Sequence, residues 1–466
     1  MSSSSLNKTK TINGTFLEVF KVALPLILSS SCHAINMFVD RLMLSRHSQE
    51  AVSAAFTGGL TNFTLCCFFV GLIAYTGTFV AQYEGAKHRE MIGKVVWHGV
   101  YLAILGGILM FTGTFWSRSL FSLFGHAPNV LEQEIAYFGI TSKGTVVFLL
   151  GIAFSTFWSG RGKTALVMSV AAIITICNIP LNYMLIFGNS FLPAMGASGA
   201  ALGTIIAEGV GLLIYLALFF RKGVKTKYQT TRLKFDKNLF QRMLKFGFPS
   251  GVHLALDLFA FNLFTLLLGC YGAAVHEATS ITFGINSIAY CPVLGIGTAA
   301  SILVGQAVGA ENIPVAKKSV RNSLIIVQSY TLFIFILFTF FQDLVLSPFM
   351  RPGDAAQVET FTYAKQMLYF ISAYLFFDGF HLSLAHAIRG AGDTKFPMWV
   401  MGICGGLFFA LPCYLFYYFK VHWYSLWITL VVYIIILCFI FIFRYLGGKW
   451  TKMRVIEVDA IKEDIE

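Results

Sequence analysis

The chain has 466 residues, of which 57% are hydrophobic and only 12% are charged, and its mean hydropathy is +0.72. Soluble globular proteins carry about 25% charged residues, so this composition excludes a soluble domain and indicates an all-α membrane protein with many spans. The net charge of +12 is explained by basic residues in short loops on one side of a membrane. We therefore expect no binding of nucleic acid.

Twelve apolar segments are long enough to cross a bilayer, which needs roughly 20 residues. Pro25, Pro180, Pro249, Pro292 and Pro412 fall inside such segments. Proline leaves backbone carbonyls free, and neighbouring helices or water in a cavity must satisfy them. The predicted spans are 17–43, 51–82, 95–116, 134–157, 165–187, 197–220, 245–268, 275–305, 322–342, 362–388, 397–419 and 423–443.

The chain repeats itself on either side of a basic segment, residues 221–245. Residues 20–25, which lead into the first proline, resemble residues 244–249. Residues 82–86, which begin with Gln and end with Gly-Ala, align with residues 306–310, which do the same. The repeat indicates two homologous halves joined by this linker.

Later motifs keep the same order, since residues 160–164 align with residues 390–394, and Pro180 aligns with Pro412. Six spans in each half give the two halves the same orientation, with a pseudo-symmetry axis along the membrane normal. The predicted organisation is an N-terminal six-helix bundle (1–220), a basic linker (221–245), a C-terminal six-helix bundle (246–443) and a tail (444–466).

The basic residues also predict the orientation, because loops rich in Lys and Arg stay in the cytoplasm. Most of the 34 Lys and Arg residues fall on the side that holds both termini and the linker. We therefore predict a multi-pass protein of the cell (inner) membrane with cytoplasmic termini, surrounded by the lipid bilayer and acting as a monomer. The opposite side holds Arg41, Arg46, Arg118, Arg351 and Lys420.

We single out five of the acidic residues that fall within predicted spans. Acidic groups are costly in a membrane, so each is a functional hypothesis, with a structural hydrogen bond as the alternative. Three aspartates in non-adjacent spans favour function, since each needs its own partner. The five are Asp40 in span 1, Glu208 in span 6, Asp257 in span 7, Glu277 in span 8 and Asp378 in span 10.

Other polar residues lie in the same segments. Asn178 and Asn182 are four residues apart, on one helix face, where they could coordinate a cation or bond an acid; hydrogen bonding between helices is the alternative. The small residues of 196–204 should allow close helix approach. None of the nine cysteines has metal-ligand spacing. Hydrogen-bonded packing is the expected role of His33, His253, His381 and His386.

Taken together, these motifs resemble the multidrug and toxic compound extrusion (MATE) family, most closely its NorM-like bacterial branch. Residues 38–40 are similar to the family's first helix, residues 178–182 to its fifth, residues 248–257 to its seventh and residues 374–390 to its tenth. The resemblance covers nearly the whole chain. It implies twelve helices in two six-helix bundles around a V-shaped cavity, and export of cationic amphipathic compounds driven by inward Na⁺ or H⁺.

The resemblance also implies ion-coupling residues in each half, with a candidate Na⁺ site at Asp257 and Asp378. Asp257 stands where Glu is usual in the family, and Glu208 and Glu277 depart from its pattern. These two glutamates are candidates for the substrate cavity. The implied first-half set is Asp40, Asn178, Asn182 and Thr204, and the second-half set is Asp257, Tyr290, Tyr374 and Asp378.

The sequence thus predicts a cation-coupled multidrug antiporter, not an enzyme, with no cofactor other than the coupling ion. The nearest alternative is a flippase for lipid-linked or polysaccharide precursors. It should have more spans and basic residues in its cavity to bind phosphate, and Lys143 and Lys365 are the mid-span candidates. A channel needs a pore-lining repeat or re-entrant loop and an enzyme needs a catalytic constellation, and the sequence shows neither.

Overall fold

The computed structural model describes residues 13–122, 127–188, 193–349 and 357–457, which are almost entirely helical. Twelve helices in this part of the chain are long and apolar enough to cross a membrane. Each corresponds to one predicted span, so the predicted all-helical fold is confirmed. They are α1 (Phe16–His47), α2 (Gln49–Gly85), α3 (Arg89–Ser122), α4 (Pro128–Gly160), α5 (Thr164–Phe187), α6 (Gly196–Phe219), α7 (Lys237–Gly269), α8 (Ala273–Gly309), α9 (Ile313–Phe340), α10 (Val358–Ala391), α11 (Lys395–Tyr418) and α12 (Tyr424–Leu446).

Local signals in the sequence explain where the first helices begin and end. Thr15 and Glu18 form a capping box at the start of α1, each side chain bonding the other's backbone N–H. Ser48 separates α1 from α2, and its hydroxyl accepts a hydrogen bond from the Ala51 N–H at 3.0 Å. A single capping residue therefore reverses the chain between two spanning helices.

The two halves repeat one packing pattern. In the first half, α4 packs against α2, α3 and α6, and α5 packs against α1 and α6. In the second half, α10 packs against α8, α9 and α12, and α11 packs against α7 and α12. The halves meet mainly where α1 contacts α8, α2 contacts α7, and α2 contacts α8. The pseudo-two-fold axis relates α1 to α7 and α2 to α8, so it exchanges the contact α1–α8 with the contact α7–α2. Two homologous six-helix bundles are expected to show this symmetry.

Helices α2 and α8 approach closely at the end of the molecule that carries the linker. A Cβ added to Gly85 would collide with the backbone carbonyl oxygen of Gln306, and one added to Gly309 would collide with that of Gln82. Glycine is thus required at both positions, which the sequence repeat had aligned. The close approach seals this end of the interface between the halves.

Two glutamines connect the halves at the same end. The Gln82 Nε2 donates hydrogen bonds to the carbonyl oxygens of Gly390 and Ala391 at 3.0 and 3.2 Å. The Gln306 Nε2 donates one to the carbonyl oxygen of Gly160 at 2.7 Å. These carbonyls lie at the C-terminal ends of α10 and α4, where no further helical turn can satisfy them. We call Gln82, Gln306 and their carbonyl partners the glutamine clasp.

The segment after α12 covers the clasp. The Val455 N–H donates a hydrogen bond to Gln82 Oε1 at 2.9 Å. Val455 and Ile456 are buried in the hydrophobic core of the first half. Beyond them, Glu457 forms an ion pair with Arg242 at 3.1 Å. Val455 and Ile456 therefore hold the second half against the first.

Part of the predicted linker is helical. Residues Lys222–Tyr228 form a short helix, and α7 begins at Lys237, so residues 237–245 are its first turns. The Asp236 carboxylate caps α7 by accepting hydrogen bonds from two N–H groups of its first turn, and it lies 2.6 Å from Lys94 Nζ. The hydrogen bond from Lys94 holds the pKa of Asp236 below its usual value. Three parts of the predicted organisation lie outside the described residues. They are residues 1–12 of the predicted first bundle, residues 458–466 of the predicted tail, and Arg351 of the opposite side.

Replacing this cap should destabilise the protein. We expect Asp236→Ala to reduce the free energy of unfolding by about 1 kcal/mol, because it removes an N-cap. The melting temperature in detergent at neutral pH should fall accordingly. A carboxylate with a lowered folded-state pKa stabilises the fold above its unfolded pKa of about 3.9. The difference between wild type and variant should therefore shrink as the pH falls through the lower, folded-state pKa.

The matched control is Asp343→Ala, because Asp343 pairs with Lys365 at 2.5 Å but its carboxylate is exposed. Exposed ion pairs contribute about 0–1 kcal/mol, so this variant should melt close to wild type. Equal melting temperatures for Asp236→Ala and wild type would contradict the assigned cap.

Breaking the clasp should open the linker end. In Gln306→Leu the buried carbonyl of Gly160 loses its hydrogen-bond donor, which destabilises the closed arrangement by about 1–3 kcal/mol. Once this end opens, water can donate to the carbonyl instead, so the variant should favour the open arrangement. We expect a longer distance between spin labels at Lys87 and Glu311, two exposed turn positions related by the sequence repeat. Paramagnetic resonance would measure it in a background without reactive native cysteines.

Gln342→Leu is the control, because Gln342 bonds the Lys365 carbonyl at 3.1 Å within the second half alone. It removes the same chemistry without touching the interface. An unchanged distance in Gln306→Leu, or an equal change in Gln342→Leu, would show that the clasp does not hold the halves together.

Candidate functional site

The four first-half residues form one hydrogen-bonded chain. The Asn182 Nδ2 donates to Asp40 Oδ1 at 2.5 Å and to Asn178 Oδ1 at 3.1 Å. The Asn178 Nδ2 donates to Thr204 Oγ1 at 3.3 Å. The chain crosses from α1 through α5 to α6, so the structure brings together all four residues that the resemblance implied. We call it the Asp40 network.

Local sequence explains how α5 and α6 approach closely enough for these contacts. A Cβ on Gly203 would collide with Asn182 Oδ1, and one on Gly199 would collide with the Leu185 carbonyl. The close helix approach predicted from residues 196–204 is therefore confirmed. Asn178 and Asn182 are almost fully buried on one face of α5.

The Asp40 network is rich in oxygen atoms. Asn182 Oδ1 is buried and has no hydrogen-bond partner among the described residues. The network also contains the Asp40 carboxylate and the Asn178 and Thr204 side-chain oxygens. Hard cations take oxygen ligands of this kind, and the same carboxylate can instead take a proton.

The second half centres on Asp378 of α10, which is buried. Its Oδ1 lies 2.9 Å from His381 Nδ1, one turn further along the same helix. Asp378 also interacts electrostatically with Asp257 of α7, Tyr290 of α8 and Tyr374 of α10. The other three predicted second-half residues therefore lie within electrostatic range of Asp378.

Sequence reasoning did not assign His381 to this site. It is hydrogen-bonded, as expected for a membrane histidine, but its partner is Asp378, and the spacing of three residues was the available signal. Arg389, in the last turn of α10, donates a hydrogen bond to Ser250 Oγ at 2.7 Å. Both ring nitrogens of His253 on α7 are buried without a partner among the described residues.

The two glutamates lie in different places. Glu208 lines a cavity of about 200 Å³ inside the first half, together with His33 and Asn36. Glu277 is exposed near the start of α8, where it accepts a hydrogen bond from Thr360 Oγ1 at 3.2 Å. The structure therefore does not bring Glu277 to this cavity. Within the described ranges, no three His, Cys, Asp or Glu side chains converge as a metal site.

Comparison with known proteins gives matches along most of the chain. The MatE family model matches residues 25–184 and 249–415. A probable multidrug resistance protein NorM from Thermotoga maritima is 26% identical over 455 residues, which cover 96% of this chain and 95% of that protein.

Two solved structures share the fold. A MOP superfamily transporter from Pyrococcus furiosus superimposes with a TM-score of 0.85 at 17% identity, covering 96% of this chain and 100% of that one. A multidrug resistance MATE family transporter in an outward-facing conformation gives a TM-score of 0.84 at 18% identity, with the same coverage.

Proposed function

Because this chain belongs to the MatE family, we propose that it exports cationic amphipathic compounds in exchange for Na⁺ or H⁺. The family match confirms the resemblance found in the sequence and makes the chain a transporter of the MATE type, not an enzyme. The multidrug activity named for the Thermotoga maritima relative is extended to this chain as part of the proposal. No cofactor other than the coupling ion is required, and the chain acts as a monomer in the bilayer.

The observation that carries the proposal is the Asp40 network. A carboxylate removed from water is stabilised by a proton, a cation or hydrogen bonds. Asp40 is held by the Asn182 amide at 2.5 Å. A single carboxylate cannot hold a proton and compensate a cation at once, so the two become alternatives. Competition of this kind is what an antiporter needs to exchange one for the other.

The charges of the molecule favour this function over phosphate-bearing precursors. The cavity in the first half is lined by Glu208, and none of its described lining residues is Lys or Arg. Lys143 is exposed, and Lys365 pairs with Asp343. The basic residues that a flippase needs for phosphate therefore do not line this cavity.

The basic linker supports an orientation with the clasp at the cytoplasmic face. An impermeant maleimide added to intact cells should not label a Lys225→Cys variant, in which the exposed linker residue is replaced, until the membrane is permeabilised. Cys270, exposed at the opposite end of α7, is the internal control and should react from outside. Labelling of position 225 in intact cells would reverse the proposed orientation.

Transport in proteoliposomes under separate Na⁺ and pH gradients tests the function itself. Wild type should accumulate a fluorescent organic cation under at least one gradient. Asp40→Asn should keep the fold, since the amide is nearly isosteric, but lose gradient-driven accumulation. Glu277→Gln, a change at an exposed acid, should transport like wild type. Accumulation by Asp40→Asn equal to wild type would reduce Asp40 to a packing residue.

Asp257 and Asp378 should act as a unit, because each carboxylate is within the other's electrostatic field. Two carboxylates that share one ion or proton fail together when either is neutralised. Asp257→Asn and Asp378→Asn should each reduce the transport rate about as much as the double variant. If the double variant's loss, expressed as free energy of activation, equals the sum of the single losses, the two residues act independently.

A further inference from the structure

The transport mechanism above gives no role to Glu208, a half-buried acid of the first half. Glu208 of α6 lines the first-half cavity of about 200 Å³, whose other lining residues come from α1, α4, α5 and α6. It has no hydrogen-bond or ion-pair partner among the described residues. An unpaired carboxylate in a membrane protein is costly unless a ligand or a proton compensates it.

Several hydrogen-bond acceptors line the cavity, together with donors on Asn36, His33 and Tyr215. Asn36 Oδ1 is buried and unpartnered. The Ser155 hydroxyl donates to a carbonyl of its own helix at 2.8 Å, and the Thr175 hydroxyl does so at 3.1 Å. Their hydrogens are used, so their lone pairs remain for a ligand. A cavity with a carboxylate and several acceptors is complementary to a cation that carries N–H groups.

The remaining walls and the volume define the ligand further. The rings of Phe148 and Tyr215 line the cavity, and aromatic faces attract organic cations. A drug-sized ligand fills a pocket of roughly 300–1,000 Å³, so about 200 Å³ accommodates only part of such a molecule. We propose that Glu208 and Asn36 bind the protonated-amine end of the transported compound and select it over quaternary ammonium ions. This inference rests on the proposed function, because it names the substrate class.

The position of the cavity connects it to the Asp40 network. Asn36 precedes Asp40 by four residues on α1, and Glu208 follows Thr204 by four on α6. Because α1 and α6 run in opposite directions, both cavity residues lie four residues, about 6 Å, deeper than the network. A cation bound at Glu208 is therefore one helical turn from Asp40, where its charge opposes a second cation.

Equilibrium binding without any gradient tests this site. The probes are a dansylated alkyl primary amine and its N-trimethylated analogue, titrated by fluorescence against purified protein in detergent. Glu208→Gln should raise the Kd of the primary amine about ten-fold or more, because it removes a charged hydrogen bond. The Kd of the quaternary probe should rise by about three-fold or less, since it loses only charge attraction. Glu208→Asp, which keeps the charge, should fall between wild type and Glu208→Gln.

Glu277→Gln is the matched control, the same substitution at an exposed acid of the other half, and should leave both Kd values unchanged. The proposal is overturned by an unchanged Kd for the primary amine in Glu208→Gln, by an equal loss for both probes, or by an equal loss in Glu277→Gln. If Glu208→Gln does not fold, as judged by size exclusion, Glu208→Asp and Asn36→Leu replace it. A wild-type Kd for the primary amine in both of these variants then overturns the proposal. The titration involves no ion gradient, so its failure is distinct from a failure of coupled transport.

Discussion

The arrangement of the two halves depends on one constraint, the need to satisfy backbone carbonyls where spanning helices end inside the molecule. The last carbonyls of α4 and α10 have no intrahelical donors. The interface excludes water there, so Gln306 and Gln82 supply the missing hydrogen bonds from the opposite half. A side chain can do this only if α2 and α8 approach closely, which explains the glycines at 85 and 309. Each half completes the other, and the molecule is closed at this end.

Closure at one end places the polar sites of both halves in the remaining depth of the membrane. The polar site of each half contains an aspartate that is hydrogen-bonded to a neighbouring side chain, but the partners differ. Asp40 is bonded by an uncharged amide of another helix, Asn182, whereas Asp378 is bonded by an imidazole of its own helix, His381. The repeat therefore preserved the framework more closely than the chemistry. Close backbone contact restricts which residues can stand at a helix interface, whereas the chemistry of the ligand restricts the residues of a site.

The sequence predicted the fold well because membrane spans are determined by apolar length and the repeat fixed the pairing of the halves. It also identified Asp40, Asn178, Asn182 and Thr204, which the structure joins in one network. It did not identify His381 as the partner of Asp378, since a spacing of three residues on a helix occurs widely. It placed Glu208 and Glu277 together because both are acids within predicted spans that depart from the family's pattern. Only the packing distinguishes a residue that lines a cavity from an exposed one near a helix start.

The chemistry of the clasp also suits a protein that must adopt two conformations. Each hydrogen bond of the clasp contributes about 0.5–1.5 kcal/mol net, because water replaces the lost partner once the end opens. The bonds made by Gln82 and Gln306, with the one from Val455, together amount to a few kcal/mol. A difference of that size keeps a minor conformation populated. A purely apolar seal would lose stabilisation in proportion to its area when exposed to water, and a large one would hold the halves closed. Water can replace the lost partners of these hydrogen bonds. The same interface is therefore specific when closed and opens at a small cost in free energy.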